Sequence, residues 1–251
     1  MRSPVSDLTL MGREFSASAS AGSSEAWFMD WVSKSPRQAA AHMRALKMAY
    51  ESLHAVYSKK QISSHVEYFG GLGASAMAAQ DSFYLRRQTV LDYSPAAALH
   101  LEGLFPDARV VQGDSFDPGN YTRASLVGLD FGDLTAWKLW GQNTRPHRGL
   151  VERVVEAGPK AIVLTDIAGA YLHVNHSAQQ RAMGRPAQTY GEYLDSFALT
   201  FEDKYAYRLL AGYTRRWSTV MAFVPVGRTA RGGFTHTPDG PPILTLDGKE
   251  Y

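Results

Sequence analysis

The stretch Glu67-Tyr68-Phe69-Gly70-Gly71-Leu72-Gly73 decides the fold of this chain. An apolar run that begins at Ile62 leads into it, and a helix-forming run, residues 74–80, follows it directly. We therefore predict a strand, a tight glycine turn and the start of a helix. Glycine is needed where the backbone adopts a positive φ or comes close to a ligand, and a helix start offers free N–H donors. Position 76 is alanine, so the turn does not complete the G-x-G-x-x-G pattern of nicotinamide-binding proteins.

The composition is that of a globular protein. The chain has 251 residues, 45% hydrophobic and 20% charged, which is enough for one α/β domain with decorations or for a domain with a small lobe. Its net charge of +2 is small, so any nucleic-acid contact must use a local basic patch. The chain has no cysteine, which excludes disulfides, cysteine-ligated zinc and a thiolate nucleophile.

The ends of the chain and its apolar runs bear on location. The N-terminal sequence lacks the apolar core of a signal peptide. No stretch approaches the roughly 18 uninterrupted apolar residues of a membrane helix. We expect a soluble, cytoplasmic protein.

Strand and helix patterns alternate from residue 62 to residue 166. Continuous apolar runs separated by helices indicate parallel strands that are covered on both faces. Two later β-rich runs predict an antiparallel hairpin at the sheet edge. We expect an α/β fold with a doubly wound, mostly parallel seven-stranded sheet. The predicted parallel strands are 62–69, 89–93, 108–112, 125–130 and 161–166, and the predicted hairpin strands are 207–213 and 218–226.

Three parts are expected along the chain. Residues 1–60 form an N-terminal arm and a helical segment, with a helix over 36–60. Residues 61–226 form a Rossmann-like domain, in which the segment 169–193 is too long for an ordinary connection and is predicted to be an insert. Residues 227–251 are rich in Gly, Pro and Thr and are expected to form an extended tail.

Acidic residues stand at the ends of the predicted parallel strands. In a doubly wound sheet, ligands bind outside the carboxyl ends of the strands. One such residue has an ordinary explanation as a helix N-cap, but a series of them indicates a ligand crevice with an acidic rim above the glycine turn. The residues are Glu67, Asp92, Asp114, Asp130 and Asp166.

The spacing acidic-x-Phe-x-Gly-x-Gly at residues 67–73 resembles the S-adenosylmethionine-binding motif of nucleic-acid methyltransferases. The layout of βα units closed by a hairpin resembles class I methyltransferases over about residues 60–226. The resemblance implies S-adenosyl-L-methionine as cofactor and DNA or RNA as partner. It places Glu67 near the methionine end, reaching the ammonium directly or through water, and Asp92 on the ribose hydroxyls.

The resemblance assigns further residues to the cofactor. Tyr93 would lie against the adenine ring, and Asp114 would accept from the adenine amino group. Phe116 would close the other side of the ring, although core packing explains Tyr93 and Phe116 as well. The remaining candidate cofactor-binding residues are Phe69, Gly71, Gly73 and Ser115.

The segment after the fourth strand departs from the family's usual catalytic motifs. It has no Pro-Pro pair, and the absence of cysteine excludes covalent carbon-5 cytosine methylation. Asp130-Phe131-Gly132 distantly resembles the Asp-Pro-Phe-Gly segment of tRNA guanine-N2 methyltransferases. On that resemblance, Asp130 or the Phe131 carbonyl would accept from a target amino group, and Phe131 or Trp137 would stack on an extruded base. The candidate catalytic residues are Asp130, Phe131 and Asp133.

Two segments are candidates for substrate contact. The insert carries polar, basic and aromatic side chains that suit a substrate lid. Arg215-Arg216-Trp217 at the hairpin tip offers cations for phosphate and a ring for stacking, or is an exposed turn with one anchoring aromatic. His173 and His176 have no partnering cluster, so no metal site is expected. The candidate substrate-binding residues are Trp137, Tyr171, Arg181, Arg215 and Arg216.

Three functions remain open on the sequence. The first is an S-adenosylmethionine-dependent methyltransferase acting on a base amino group of DNA or RNA. The second is a methyltransferase of a small-molecule or protein substrate. The third is a catalytically inactive, methyltransferase-like binding or structural protein, which the missing signature after strand four keeps open.

Overall fold

A computed structural model of the chain describes residues 36–130, 144–166, 190–215 and 218–236. Helix α1 (Pro36–Ser52) comes first in these ranges and continues into a short 3-10 turn at Leu53–Ala55. It is shorter than the predicted helix over 36–60. The backbone N–H groups of Val56 and Tyr57 both donate to the Leu53 carbonyl, which closes the helix at that turn.

Alternating strands and helices follow, and each predicted parallel strand is present. A second 3-10 turn, Pro118–Asn120, lies between the third and fourth strands. The strands are β1 (Ser64–Tyr68), β2 (Arg87–Asp92), β3 (Arg109–Gln112), β4 (Leu126–Leu129), β5 (Ala161–Asp166), β6 (Tyr207–Arg215), β7 (Ser218–Pro225) and β8 (Phe234–His236). The helices after α1 are α2 (Ala74–Ser82), α3 (Pro95–Leu104), α4 (Thr144–Glu156) and α5 (Tyr190–Tyr205).

These strands form one sheet in the order β3-β2-β1-β4-β5-β7-β6-β8. Strands β1 to β5 are parallel, and β7 runs antiparallel to both β5 and β6. The α/β class, the mostly parallel sheet and the C-terminal hairpin are therefore confirmed. The strand order reverses between β1 and β4, which is the switch point where ligands bind in open α/β sheets.

The sheet has eight strands, one more than expected, because part of the predicted tail joins it. Strand β8 pairs in parallel with β6. Gly212 in β6 makes the pairing possible, since the ring of Phe234 occupies the space that a Cβ on residue 212 would need.

Helices cover both faces of the sheet. Helices α1 and α2 bury Leu46, Tyr50 and Ala78 against one face. Helices α4 and α5 bury Leu150 and Phe201 against the other. Helix α1 therefore shares a core with the sheet, while the domain boundaries proposed from the sequence remain predictions.

The central strand β1 sends its side chains alternately to the two faces. Val66 and Tyr68 lie in the core beneath α4 and α5. His65 and Glu67 contact Tyr50 of α1 on the other face. Polar side chains at the centre of a parallel sheet are unusual, and they lead to the site. In the ranges given above, no helix is long and apolar enough to cross a membrane.

Candidate functional site

The glycine turn between β1 and α2 has an unusual backbone. Phe69 has a φ of 66°, and Gly71 and Gly73 have φ values of 48° and 77°. A positive φ is uncommon for a residue with a side chain, and strained backbone of this kind concentrates at ligand sites. The turn therefore has the geometry predicted from its glycines.

The two positive-φ glycines serve different purposes. A Cβ on Gly73 would lie 2.6 Å from Cε2 of Phe105, so this glycine is required by packing. Among the described residues, a Cβ on Gly71 would meet only the Phe69 carbonyl oxygen, at 3.9 Å. The backbone at residue 71 is therefore open to a ligand. Helix α2 has no side-chain hydrogen bond at its N-cap.

Asp92, the last residue of β2, is tied to this turn. Its Oδ2 accepts from the backbone N–H of Gly71 at 2.7 Å, and its Oδ1 accepts from that of Ser94 at 2.9 Å. Two bonds from separate segments fix the plane of the carboxylate. Asp92 is half-buried, so the fixed group lies at the surface of the crevice.

Tyr93 stands beside this carboxylate and is 76% exposed. The backbone after it is held in place, because Ser94 caps α3 by accepting from the Ala97 N–H at 3.2 Å. The exposure excludes core packing as the explanation for Tyr93. Phe116 does pack on the core, and its ring centroid lies 5.1 Å from that of Phe69.

The loop after β3 contributes Asp114 and Ser115. Asp114 is exposed, and its Oδ1 accepts from the Phe116 N–H at 2.8 Å. The side-chain amide of Asn120 donates to the Asp114 carbonyl at 3.0 Å and stabilises the loop. Ser115 is 3% exposed, and its hydroxyl has no hydrogen-bond partner among the residues that the structure describes. A buried hydroxyl without a partner is costly and indicates a ligand group.

Glu67 lies beneath the turn and is 1% exposed. Its Oε2 accepts from the Ser75 hydroxyl at 2.6 Å and lies 3.2 Å from Nε2 of His65. The Tyr50 hydroxyl is 2.7 Å from that of Ser75 and joins the network. Gly128 of β4 leaves the room that the Glu67 carboxyl occupies, since a Cβ there would collide with it.

The contact between Glu67 and His65 has the distance of an ion pair, but burial shifts the pKa values of both groups toward their neutral forms. Burial raises the pKa of the Glu67 carboxyl well above its usual value, and the charge of Asp130 raises it further. Burial lowers the pKa of His65 to about 3. The Gln88 side-chain amide lies 3.2 Å from Nδ1 of His65 and donates to it, so Nε2 carries the proton.

The observed network shows where Glu67 points. Its hydrogen-bond partners belong to α1, α2 and β1. The second carboxyl oxygen, Oε1, is buried and has no hydrogen-bond partner within the described part of the chain. Contact between Glu67 and the ammonium of a cofactor remains a prediction.

Asp130 follows β4 and is half-buried at the switch point. Its backbone N–H donates to the Tyr68 carbonyl at 3.3 Å, and its carboxylate accepts from the Thr165 hydroxyl of β5. The charge of Asp130 also acts on His42 of α1, whose pKa burial lowers and Asp130 raises. His42 is 3% exposed. Helix α1 therefore places a buried imidazole within reach of the Asp130 charge, at the carboxyl end of β4.

Sequence reasoning missed the polar groups around Glu67. The signal in the sequence was the alternation of His65 and Glu67 with Val66 and Tyr68. The strand had been interpreted as a continuous apolar run. Tyr50 recurs at the 3.6-residue period of the predicted helix, and its ring is buried in the core. Its hydroxyl, however, bonds to the network.

Several predicted residues fall outside the described ranges. Arg215 ends β6, and the structure describes only its backbone. Most of the predicted insert, 169–193, is also outside. The described geometry therefore covers the cofactor end of the crevice. The residues outside are Phe131, Asp133, Trp137, Tyr171, Arg181 and Arg216.

Across residues 36–130, 144–166, 190–215 and 218–236, no group of three or more His, Asp or Glu side chains could hold a metal ion.

Comparison with known proteins identifies the fold. No protein-family model matches the chain, and no curated protein matches it. Among solved structures, the plantazolicin methyltransferase BpumL in complex with SAH matches with a TM-score of 0.52 at 10% identity, covering 88% of this chain and 97% of that one. The N-methyltransferase NodS from Bradyrhizobium japonicum WM9, in complex with S-adenosyl-L-homocysteine, matches with a TM-score of 0.51 at 13% identity, covering 87% and 97%. The chain has the class I methyltransferase fold.

Proposed function

We propose that this protein is an S-adenosyl-L-methionine-dependent methyltransferase. The observation that carries the proposal is the Asp92 carboxylate at the end of β2, which the backbone of the glycine turn fixes beside the exposed ring of Tyr93. The two fold neighbours named above support it, since both were solved with the demethylated cofactor.

The residues present fit this cofactor. The open backbone at Gly71 accommodates it, Asp92 accepts from the ribose hydroxyls, and Tyr93 lies against the adenine face. The exposed carboxylate of Asp114 accepts from the adenine amino group, and the partnerless hydroxyl of Ser115 gains a partner. When bound, the cofactor supplies a methyl group on a sulfonium.

On the substrate side, this chain has to align a nucleophile that has a free lone pair. Alignment carries much of the rate of such a transfer. Asp130 is suited to this task, because the Thr165 hydroxyl and the backbone bond to Tyr68 both hold it in place. Accepting a hydrogen bond from a target amino group would orient the lone pair of its nitrogen toward the methyl group.

The target that we propose is a base amino group of DNA or RNA. The Phe69 position of the glycine motif and the Asp130-Phe131-Gly132 segment support it through their resemblance to nucleic-acid methyltransferases. Phe131 directly follows the acceptor Asp130 in the sequence. An aromatic ring at this position would supply the stacking surface for an extruded base.

Incubation with methyl-labelled cofactor and separate pools of DNA, RNA, protein and small metabolites tests both levels of the proposal. We expect label in DNA or RNA, released as the free methylated base on hydrolysis. Label confined to protein or small molecules would contradict the nucleic-acid target and keep the methyltransferase. Cofactor binding without label in any pool would favour the inactive, methyltransferase-like alternative.

A further inference from the structure

A cleft lies at the end of the sheet opposite the glycine turn. Two segments meet there, one before β1 and one between α2 and β2, because the Tyr84 N–H donates to the Lys59 carbonyl at 3.1 Å. The cleft has a volume of about 450 Å³, and Lys60, Tyr84, Leu85 and Arg86 line it. Strands β1 and β2 are parallel, so their amino ends lie at the edge opposite their carboxyl ends. The cleft is therefore separate from the crevice proposed for the cofactor.

Positive charge is concentrated around this cleft. Lys59, Lys60, Arg86, Arg87 and Lys160 are exposed, and all belong to the amino ends of β1, β2 and β5. No salt bridge in the described ranges involves any of these five cations. Cations that are close together and unpaired repel one another and attract a polyanion.

The neighbouring groups do not neutralise this charge. The ammonium of Lys160 donates to the Gln61 carbonyl at 2.6 Å, which holds it near the loop before β1 without a carboxylate. Asp81 at the end of α2 is exposed and forms no salt bridge in the same ranges. The charge is therefore available to a ligand.

Tyr84 gives the cleft an aromatic surface. It is 63% exposed, and Nζ of Lys59 lies 6.0 Å from the centre of its ring. The next residue, Leu85, packs against the core and anchors the segment. A fixed, exposed ring among cations is the arrangement on which single-stranded nucleic acids bind, with bases stacked on rings and phosphates on cations. An acidic peptide would pair with the cations and leave the ring without a partner.

We propose that this cleft binds a single-stranded nucleic acid, with one base stacked on Tyr84 and neighbouring phosphates against Lys60 and Arg86. This site goes beyond the proposed methyl transfer and does not depend on it. In an enzyme that methylates nucleic acid, it would hold the strand at a distance from the reacting base.

The test measures fluorescence anisotropy of a labelled single-stranded oligonucleotide of about 12 residues with the full chain, over a series of salt concentrations. The double variant Lys60→Ala/Arg86→Ala should bind more weakly, and the slope of log affinity against log salt should fall by about 1.4, because two phosphate contacts are lost. Tyr84→Ala should bind about tenfold more weakly, while Tyr84→Phe should keep its affinity.

The matched control is Arg44→Ala/Arg148→Ala, which removes the same charge from exposed positions on α1 and α4. It should bind as the unaltered protein does. Equal losses in the control and in the cleft variant would overturn the proposal. Displacement of the oligonucleotide by polyglutamate at equal charge, together with full affinity in Tyr84→Ala, would also overturn it.

Calorimetry with S-adenosyl-L-homocysteine on every variant separates this proposal from the proposed function. Unchanged cofactor affinity in the cleft variants would show that they are folded and that the two sites are independent. If the unaltered chain binds oligonucleotide through the cleft but does not bind S-adenosyl-L-homocysteine, the cleft proposal stands and the proposed function fails.

Discussion

Asp92 lies where three short segments meet: the end of β2, the glycine turn and the start of α3. The glycine turn donates one N–H and the start of α3 donates another. Hydrogen bonds to charged acceptors are stronger than neutral ones. The orientation of the carboxylate is therefore fixed by the fold itself.

Replacement of Asp92 should damage the proposed cofactor site directly. We expect Asp92→Ala to weaken S-adenosyl-L-homocysteine binding by about tenfold or more, because a charge-assisted hydrogen bond is lost. Isothermal titration calorimetry measures this, with Asp107→Ala, an exposed acid in the turn before β3, as control. Undiminished affinity in a folded Asp92→Ala variant would remove Asp92 from the site.

Glu67 and His65 should give the protein's stability opposite dependences on pH. The folded-state pKa of Glu67 is raised above its ordinary 4.5, so its stabilising contribution is complete below pH 4.5 and is lost as the pH rises toward the folded-state value. The pKa of His65 is lowered from 6.5 to about 3, so its contribution is complete above pH 6.5 and is lost as the pH falls toward 3. Above pH 4.5 and below pH 6.5, the two contributions therefore change in opposite directions as the pH rises.

In the Glu67→Gln variant, the pH dependence of the free energy of unfolding that His65 causes should no longer be opposed by that of Glu67. Relative to the unaltered protein, the free energy of unfolding of this variant should rise as the pH increases above 4.5, because the contribution of Glu67, which falls with rising pH, has been removed. The gain should end at the pH where Glu67 ionises in the folded state of the unaltered protein, because the folded and unfolded states then bind the same number of protons at this residue.

Urea unfolding of both proteins across this pH range measures the difference. The other titratable groups near Glu67 are Tyr50 and Asp130, and both are present in both proteins. Glu51→Gln, at an exposed acid on α1, is the control and should keep a constant difference from the unaltered protein. Parallel curves for Glu67→Gln would mean that Glu67 is ionised in the folded state.

Helix α1 belongs to the core of the fold, although it precedes the glycine motif. Its apolar period was visible in the sequence, and the predicted positions Leu46, Tyr50 and Leu53 are buried. The neighbouring Lys47 is exposed, as expected for the basic side of the helix. What the period did not reveal is that this helix covers the strand carrying Glu67.

Truncation of the α1 core face should therefore unfold the whole sheet more easily. We expect Leu46→Ala to lower the free energy of unfolding by about 2–5 kcal/mol, since Leu46 is 0% exposed and its replacement leaves a cavity. Lys47→Ala should change it by less than about 0.5 kcal/mol. A Leu46→Ala loss as small as that of Lys47→Ala, measured by urea unfolding, would show that α1 is peripheral.

Strand β8 could not be predicted from its own residues. Its three residues, Phe234–His236, carry no strand signal long enough to recognise within a Gly-rich segment. They form a strand because β6 offers an unpaired edge and Gly212 leaves room for the Phe234 ring. Pairing with β6, more than 20 residues earlier in the chain, therefore determines that these residues form a strand.

Across the whole molecule, the parallel sheet separates two surfaces with different chemistry. The carboxyl ends of β1, β2 and β4 carry the glycine turn, Asp92 and Asp130. The amino ends carry the cleft around Tyr84 and the exposed cations that line and surround it. The parallel direction of β1 to β5 produces this division, because each of these five strands places its carboxyl end at the same edge.

The glycine motif, the alternating strands and helices and the acids at strand ends were all readable from the sequence. Each depends on a few adjacent residues: glycine at positive φ, an apolar run or a period of 3.6. These local features were sufficient for the fold class and for the switch point, while the cofactor roles of Asp92 and Tyr93 remain predictions.

The burial of Glu67, the neutral state of His65 and the meeting of Lys60 with Arg86 came only from the folded chain. Each depends on packing between segments that are far apart in sequence: α1 over β1 in the first two cases, and two loops joined by a backbone hydrogen bond in the third. Desolvation and charge density are properties of what surrounds a group. A sequence pattern specifies which groups exist, and the packing of distant segments fixes the surroundings that give them their chemistry.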